Sequence, residues 1–227
     1  YYFAAVTGVD RAFGQILDTL KELGLDNNTI VVFASDHGET MCSQGIQDSK
    51  NSPYAEAMNT PFIVRYPGHI IPHTDDLLLS SPDIMPTMIG LAGLGDRIPG
   101  DLHGKDYSAL FINPEAKVER PAGALYIQNL DGEKNAAGEV ISYFPSARGY
   151  KTHDYTIAFF VDKKNRHLTK TLLFHDSEDP YQMTNLPLEA NGEIVAKLCK
   201  EMAAVLKDIN DPWYEMRILP DLIPYED

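Results

Sequence analysis

Asp36 and His37 form an adjacent pair at the end of the stretch TIVVFASDHG, residues 29–38. A carboxylate and an imidazole side by side can give lone pairs to one divalent cation. Asp36 supplies a hard oxygen that suits Ca2+ or Mg2+. His37 is a less usual calcium ligand and admits Mn2+ or Zn2+. The same pair also reads as a turn with a surface histidine, and residue type alone leaves both readings open. Glu39 reads as a local cap or as a group behind the ligands. His73, His103, His153, His167 and His175 show no ligand spacing among themselves.

The elements that must hold the pair are legible nearby. Ile30–Ala34 is apolar and rich in β-branched residues, and Gly24, Asp26 and Asn27 precede it, which predicts a buried strand. In open parallel sheets ligands gather beyond the carboxyl ends of strands, where Ser35–Gly38 fall. Gly38 is expected to let the backbone turn sharply there. Val6, Val9, Phe13, Ile16, Leu17 and Leu20 recur every three or four residues, predicting a helix that Gly24 stops. Helix followed by strand points to an α/β sheet.

Beyond Gly38, ETMCSQGIQDSK reads as a loop ending at Lys50. Ser52 and Pro53 suit the cap and first position of a short helix over PYAEAMN. PFIVRY, 61–66, predicts a second buried strand, and a helix is expected after Pro82, with Ile84, Met88, Ile89 and Leu91 as its apolar set. Pro86 is tolerated there near the first turn. Residues 94–122 read as an irregular connection. ALYIQ (124–128), DYTIAFFV (154–161) and TLLFHD (171–176) read as strands of a small antiparallel sheet, the last two joined by the basic turn KKNRHLTK. Ile194, Leu198, Met202, Val205 and Ile209 mark a helix over that sheet, and the proline-bearing tail from Asn210 is expected to be extended. Tyr1, Tyr2 and Trp213 are read as packing residues. The expected domains are 1–122 and 123–227.

Composition bounds the function. Hydrophobic residues make up 44% of the chain, enough for a sizeable core. No apolar run approaches the ~20 residues of a membrane span. Asp and Glu outnumber Lys and Arg 33 to 19, for a formal net charge of −14, which argues against a nucleic-acid partner. An anionic ligand must therefore be drawn in by a local cation or a metal. Cys42 and Cys199 are too few for a disulfide framework and say nothing of compartment. The first residues carry no basic leader and run straight into a helical pattern, so the chain is expected to begin inside a larger protein.

Taken in order, YYFAAVTGVDRAFGQIL, DNNTIVVFASDHG, Lys50 before PYAEAMNTPFIVRYPG, SPDIMPTMIGLAG, YKTHDYTIAFF and LLFHDSEDPYQMTNLP resemble the type I sulfatases of the alkaline phosphatase superfamily. The resemblance runs from Tyr1 to about Leu206. It implies the C-terminal part of a mostly parallel α/β catalytic sheet with flanking helices, followed by a small α+β subdomain with an antiparallel sheet. It implies that Asp36 and His37 are metal ligands, for calcium by family habit, and that Lys50 contacts the sulfate ester. Taken without the resemblance, Lys50 is a solvated loop lysine.

The family's nucleophile is a formylglycine made from C-x-P-x-R or S-x-P-x-R. Neither Cys42 in MCSQG nor Cys199 in KLCKE stands in that setting. The family's paired aspartates and its leaving-group histidine also have no counterpart. The expectation is thus the C-terminal portion of a hydrolase of sulfate esters on a small molecule or glycan. By itself this portion should be inactive, lacking the N-terminal half and prone to self-association. The resemblance implies a periplasmic or secreted setting for the whole protein. Two other readings stand beside it: a metal-dependent phosphotransferase or phosphodiesterase of the same superfamily, and a non-catalytic homologue or binding module.

Overall fold

The computed structural model describes residues 1–46 and 50–226. Gln47, Asp48 and Ser49, part of the loop expected before Lys50, lie outside the described residues. The chain forms two compact units, one of Tyr1–Ser35, Pro61–Asp75 and Pro82–Val118, the other of Asp36–Thr60, Asp76–Ser81 and Glu119–Asp227. This division differs from the sequential 1–122 and 123–227 read from sequence, because two N-terminal segments belong with the C-terminal one.

In the first unit, α1 (Tyr2–Glu22) ends where Gly24 takes φ +68° and the Leu25 amide donates to the Leu20 carbonyl. Glycine adopts this left-handed stop without a steric cost. β1 (Val31–Ala34) pairs with β2 (Phe62–Arg65), and Phe13 of α1 meets Phe33 edge to face at 5.2 Å. The α/β class holds. These two strands, however, run antiparallel, Val31 opposite Arg65 and Ala34 opposite Phe62, where a mostly parallel sheet was expected. A parallel pair needs a crossover, usually a helix laid on the sheet. Among the described residues between them the one α-helix is the four-residue α2 (Ala55–Met58), which belongs to the other unit.

α3 (Ser81–Leu91) carries Pro86 in its interior. Pro86 has no N–H for the Pro82 carbonyl, and Gly104 approaches that carbonyl so closely that a Cβ would collide with it. The Asp83 carboxylate accepts the Lys105 amide at 2.8 Å, and the Thr87 hydroxyl accepts that of Tyr107 at 3.0 Å. The supposedly irregular connection therefore contains α4 (Ser108–Ile112), with Tyr107 and Leu110 buried.

The second unit is built on a meander, β3 (Ala124–Lys134), β4 (Val140–Lys151), β5 (Tyr155–Val161) and β6 (Leu168–His175), paired antiparallel in that order. α5 (Gly192–Asp208) buries Val195, Leu198, Cys199, Met202, Ala203 and Leu206, which share one core with Tyr150, Ile157, Phe159 and Leu173. The expected sheet and covering helix are present. β4 was not foreseen, since Pro145 and Gly149 interrupt its strand pattern. The tail is not simply extended. It forms α6 (Pro212–Glu215), and Trp213, Ile218 and Ile223 join the core. Trp213 packs as expected, while Tyr1 and Tyr2 are exposed.

Candidate functional site

Asp36 and His37 follow β1 by two and three residues, and all three candidates, Lys50 included, belong to the second unit. Just after the pair, the Gly38 amide donates to the Ala57 carbonyl at 2.7 Å and the Glu39 amide to the Glu56 carbonyl at 2.9 Å. These bonds fasten the backbone to α2. Gly38 does not have a left-handed φ. It is glycine because the Glu56 carbonyl occupies the place a Cβ would need, so close approach, and not a sharp turn, explains it.

The pair is brought together. The His37 amide donates to Asp36 Oδ1 at 3.1 Å, and His37 Nδ1 lies 2.8 Å from the Gly38 carbonyl. A carbonyl only accepts, so Nδ1 carries the proton and Nε2 of the neutral ring keeps its lone pair. Nε2 faces Asp36 Oδ2 at 3.5 Å. A ring nitrogen oriented by a backbone carbonyl through its other nitrogen is the usual arrangement of metal-ligating histidines. The Asp36 side chain is 84% exposed and that of His37 40%. Among the described residues no set of three or more His, Cys, Asp or Glu is grouped to hold a metal. The pair offers two donors that fit a divalent cation, and further ligands would have to come from water or from residues outside the described ones.

Lys50 is exposed in a bend, its carbonyl accepting the Ser52 amide at 3.0 Å, and no ion pair among the described residues involves its ammonium. Ser52 does not cap α2. Tyr54 stands at the cap position, and Ser52, like Thr40, buries a hydroxyl without a hydrogen-bond partner among the described residues. Glu39 acts as a local cap, accepting the Met41 amide at 3.1 Å.

Sequence reasoning missed what supports this loop. Gln182 Oε1 accepts the Ala55 amide at 2.7 Å, while its Nε2 donates to Asp176 Oδ1 at 2.7 Å. Asp176 Oδ2 accepts Lys151 Nζ at 2.8 Å and the Thr156 hydroxyl at 2.6 Å. Gln44 donates to the Tyr181 carbonyl at 2.8 Å, and the Tyr54 ring lies 5.6 Å from that of Phe174. DSEDPYQMTNLP is therefore a support. Asn185 bonds the Leu173 amide and the Thr171 carbonyl along β6, and Gln182 carries the load to α2. Only the stretch's place in the resemblance marked it, and nothing there singled out Gln182.

The sequence model of the Sulfatase family matches residues 1–94. An endo-4-O-sulfatase of Bacteroides thetaiotaomicron is 63% identical over 225 residues, 99% of this chain and 44% of that protein. An ulvan-active sulfatase of Formosa agariphila is 31% identical over 212 residues, 89% of this chain and 38% of that protein. A solved structure from work on the metabolism of multiple glycosaminoglycans by Bacteroides thetaiotaomicron superposes with a TM-score of 0.96 at 63% identity, covering 99% of this chain and 46% of that one. The chain belongs to the sulfatase family, and it spans less than half the length of the curated relatives it matches.

Proposed function

We propose that this chain is the C-terminal portion of a sulfatase that hydrolyses 4-O-sulfate esters within a sulfated glycan. The observation that carries this reading is the 63% identity to an endo-4-O-sulfatase across 99% of the chain. The relatives matched are sulfatases, which favours sulfate ester cleavage over phosphoryl transfer. A periplasmic or secreted setting follows from the same reading.

Asp36 and His37 would hold a divalent cation, calcium in the first instance, with Mg2+, Mn2+ or Zn2+ also suited to the donors. When bound, such an ion supplies positive charge against the sulfate oxygens. The residues of this chain have separable tasks. The Gly38 carbonyl keeps the proton on Nδ1 of His37, which leaves Nε2, 3.5 Å from Asp36 Oδ2, as the ring's donor atom for a cation. The Gly38–Ala57 and Glu39–Glu56 bonds fix the backbone that presents them. The Lys50 ammonium neutralises a sulfate oxygen as the S–O bond breaks. The nucleophile, a formylglycine, comes from residues outside these 227.

The test uses the full-length protein, a 4-O-sulfated glycosaminoglycan oligosaccharide and calorimetric titration with calcium. Asp36→Ala should abolish both sulfate release and calcium binding. Lys50→Ala should keep calcium and release sulfate ~10²-fold more slowly. Parental turnover in Lys50→Ala would remove that residue from the site. Intact calcium binding in Asp36→Ala would remove the pair.

A further inference from the structure

The second unit contains a cavity of about 490 Å3 whose lining includes Arg166, His167 and Leu168 from the β5–β6 turn and Arg217, Ile218 and Leu219 from the tail after α6. That volume falls in the ~300–1,000 Å3 range of small-ligand sites. We propose that this cavity binds a sulfated segment of the glycan chain, Arg166 and Arg217 pairing with its sulfate or carboxylate groups while Leu168 and Leu219 give apolar contacts to the sugar ring. The proposal rests on the glycan-sulfatase reading above and extends it to a second contact with the same polymer.

Charge carries the argument. The chain is formally −14, so a polyanion meets general repulsion and needs a local basic place. Of the basic turn's Lys163, Lys164, Arg166 and Lys170, Arg166 lines the cavity and Lys170 instead reaches over the Tyr54 and Phe160 rings, and no Asp or Glu lies between 163 and 170. The acid that opens the turn, Asp162, is spent on structure, its carboxylate accepting the Asn165 amide at 2.7 Å and that of His167 at 2.9 Å. Those bonds hold its pKa below the usual carboxylate range. Asp221 is the acidic member of the lining. The geometry agrees with the charge. Arg166, Arg217 and Leu219 all take positive φ, +58°, +49° and +54°. Such non-glycine positions are uncommon and gather at binding sites. Ile218, between Arg217 and Leu219, is buried in the core and anchors the segment that carries them. Planar guanidinium groups match sulfate and carboxylate in two-pronged fashion.

The experiment titrates the full-length protein with a 4-O-sulfated glycosaminoglycan octasaccharide, its desulfated counterpart and poly-glutamate of equal charge. Arg166→Gln/Arg217→Gln should weaken the sulfated octasaccharide at least about tenfold. Lys21→Gln/Lys117→Gln, the same charge loss in the other unit, should leave its affinity unchanged. In the parental protein the octasaccharide should also shield Arg166 and Arg217 from an arginine-selective dicarbonyl reagent, read by mass spectrometry, which needs no variant to fold. Unchanged affinity in the arginine variant, or no shielding, overturns the proposal. Poly-glutamate binding that equals the octasaccharide's and falls in parallel overturns the glycan assignment in favour of an acidic polypeptide. Sulfate release by the parent is measured separately. Binding without release defeats the hydrolase reading and leaves the cavity standing, while release without arginine-dependent binding does the reverse.

Discussion

At the scale of single residues, the most consequential pair is one that no motif announced. Arg148 and Asp211 are 1% and 4% exposed, and Arg148 Nε donates to both Asp211 oxygens at 3.0 Å. Its Nη1 donates to the Gln128 and Ala147 carbonyls and to Asn129 Oδ1. Burial lowers the Arg148 pKa, and Asp211 opposes that. Removing one partner strands a buried charge, so Asp211→Ala should cost about 3–5 kcal/mol in urea unfolding. Asp211 also caps α6 through the Trp213 amide at 2.9 Å, which adds to the loss. Arg148→Met/Asp211→Leu should be far milder than either single change. The same core sets an alkaline limit. Burial pushes the Cys199 thiol up to about 12, and burial together with the nearby Glu201 pushes the Tyr150 hydroxyl up to about 12. Both folded values lie above the ordinary ones of 9.0 and 10.0. The stability that comes from keeping these groups neutral is therefore complete below about pH 9 and lost as the pH climbs toward 12. Each group contributes a slope of about 1.4 kcal/mol per pH unit in its window. Cys199→Ala should flatten the fall in urea midpoint between pH 9 and 10, below the ordinary tyrosine midpoint of 10.0. An unchanged slope would contradict the burial account.

At the scale of elements, Gly38 offers the sharpest test. Gly38→Ala forces the Glu56 carbonyl away and with it the two bonds that hold residues 38–39 to α2. In the full-length protein it should weaken calcium binding and sulfate release by at least about tenfold, since small misplacements of a site are costly. Wild-type affinity would mean that this junction does not set the pair. Periodicity exposed α1, β1, β5, β6 and α5 in the sequence, because each has one apolar face at helical spacing or a short apolar run. β4 stayed hidden because Pro145 reads as a strand breaker. Its carbonyl is instead put to use, accepting Trp213 Nε1 at 2.7 Å. The tail stayed hidden for a similar reason: its prolines announce extension, whereas Trp213, Ile218 and Ile223 are too widely spaced to announce a core. Asp36 and His37 were legible because their chemistry is adjacent in sequence. Gln182 was not, since its partner Ala55 is 127 residues away.

At the scale of the whole molecule, α1 is an amphipathic helix that buries none of its residues, and Phe3, Val6, Val9 and Ile16 are at least half exposed. An apolar stripe of this kind invites association. The isolated 227 residues should bind an apolar-surface dye and scatter light as oligomers at high concentration, and they should release no sulfate. A clean monomer without dye binding would show that the stripe needs no cover. The bond between Ala55 and Gln182 has one more consequence, and it concerns time. A ribosome adding ~5–20 residues per second delivers Gln182 roughly 6–25 s after Ala55. Throughout that interval the segment bearing Asp36, His37 and Lys50 exists without its support, so this loop cannot settle before Gln182 has been made. Messages that stop short of residue 182 would yield a product whose site residues are all present and whose site never sets.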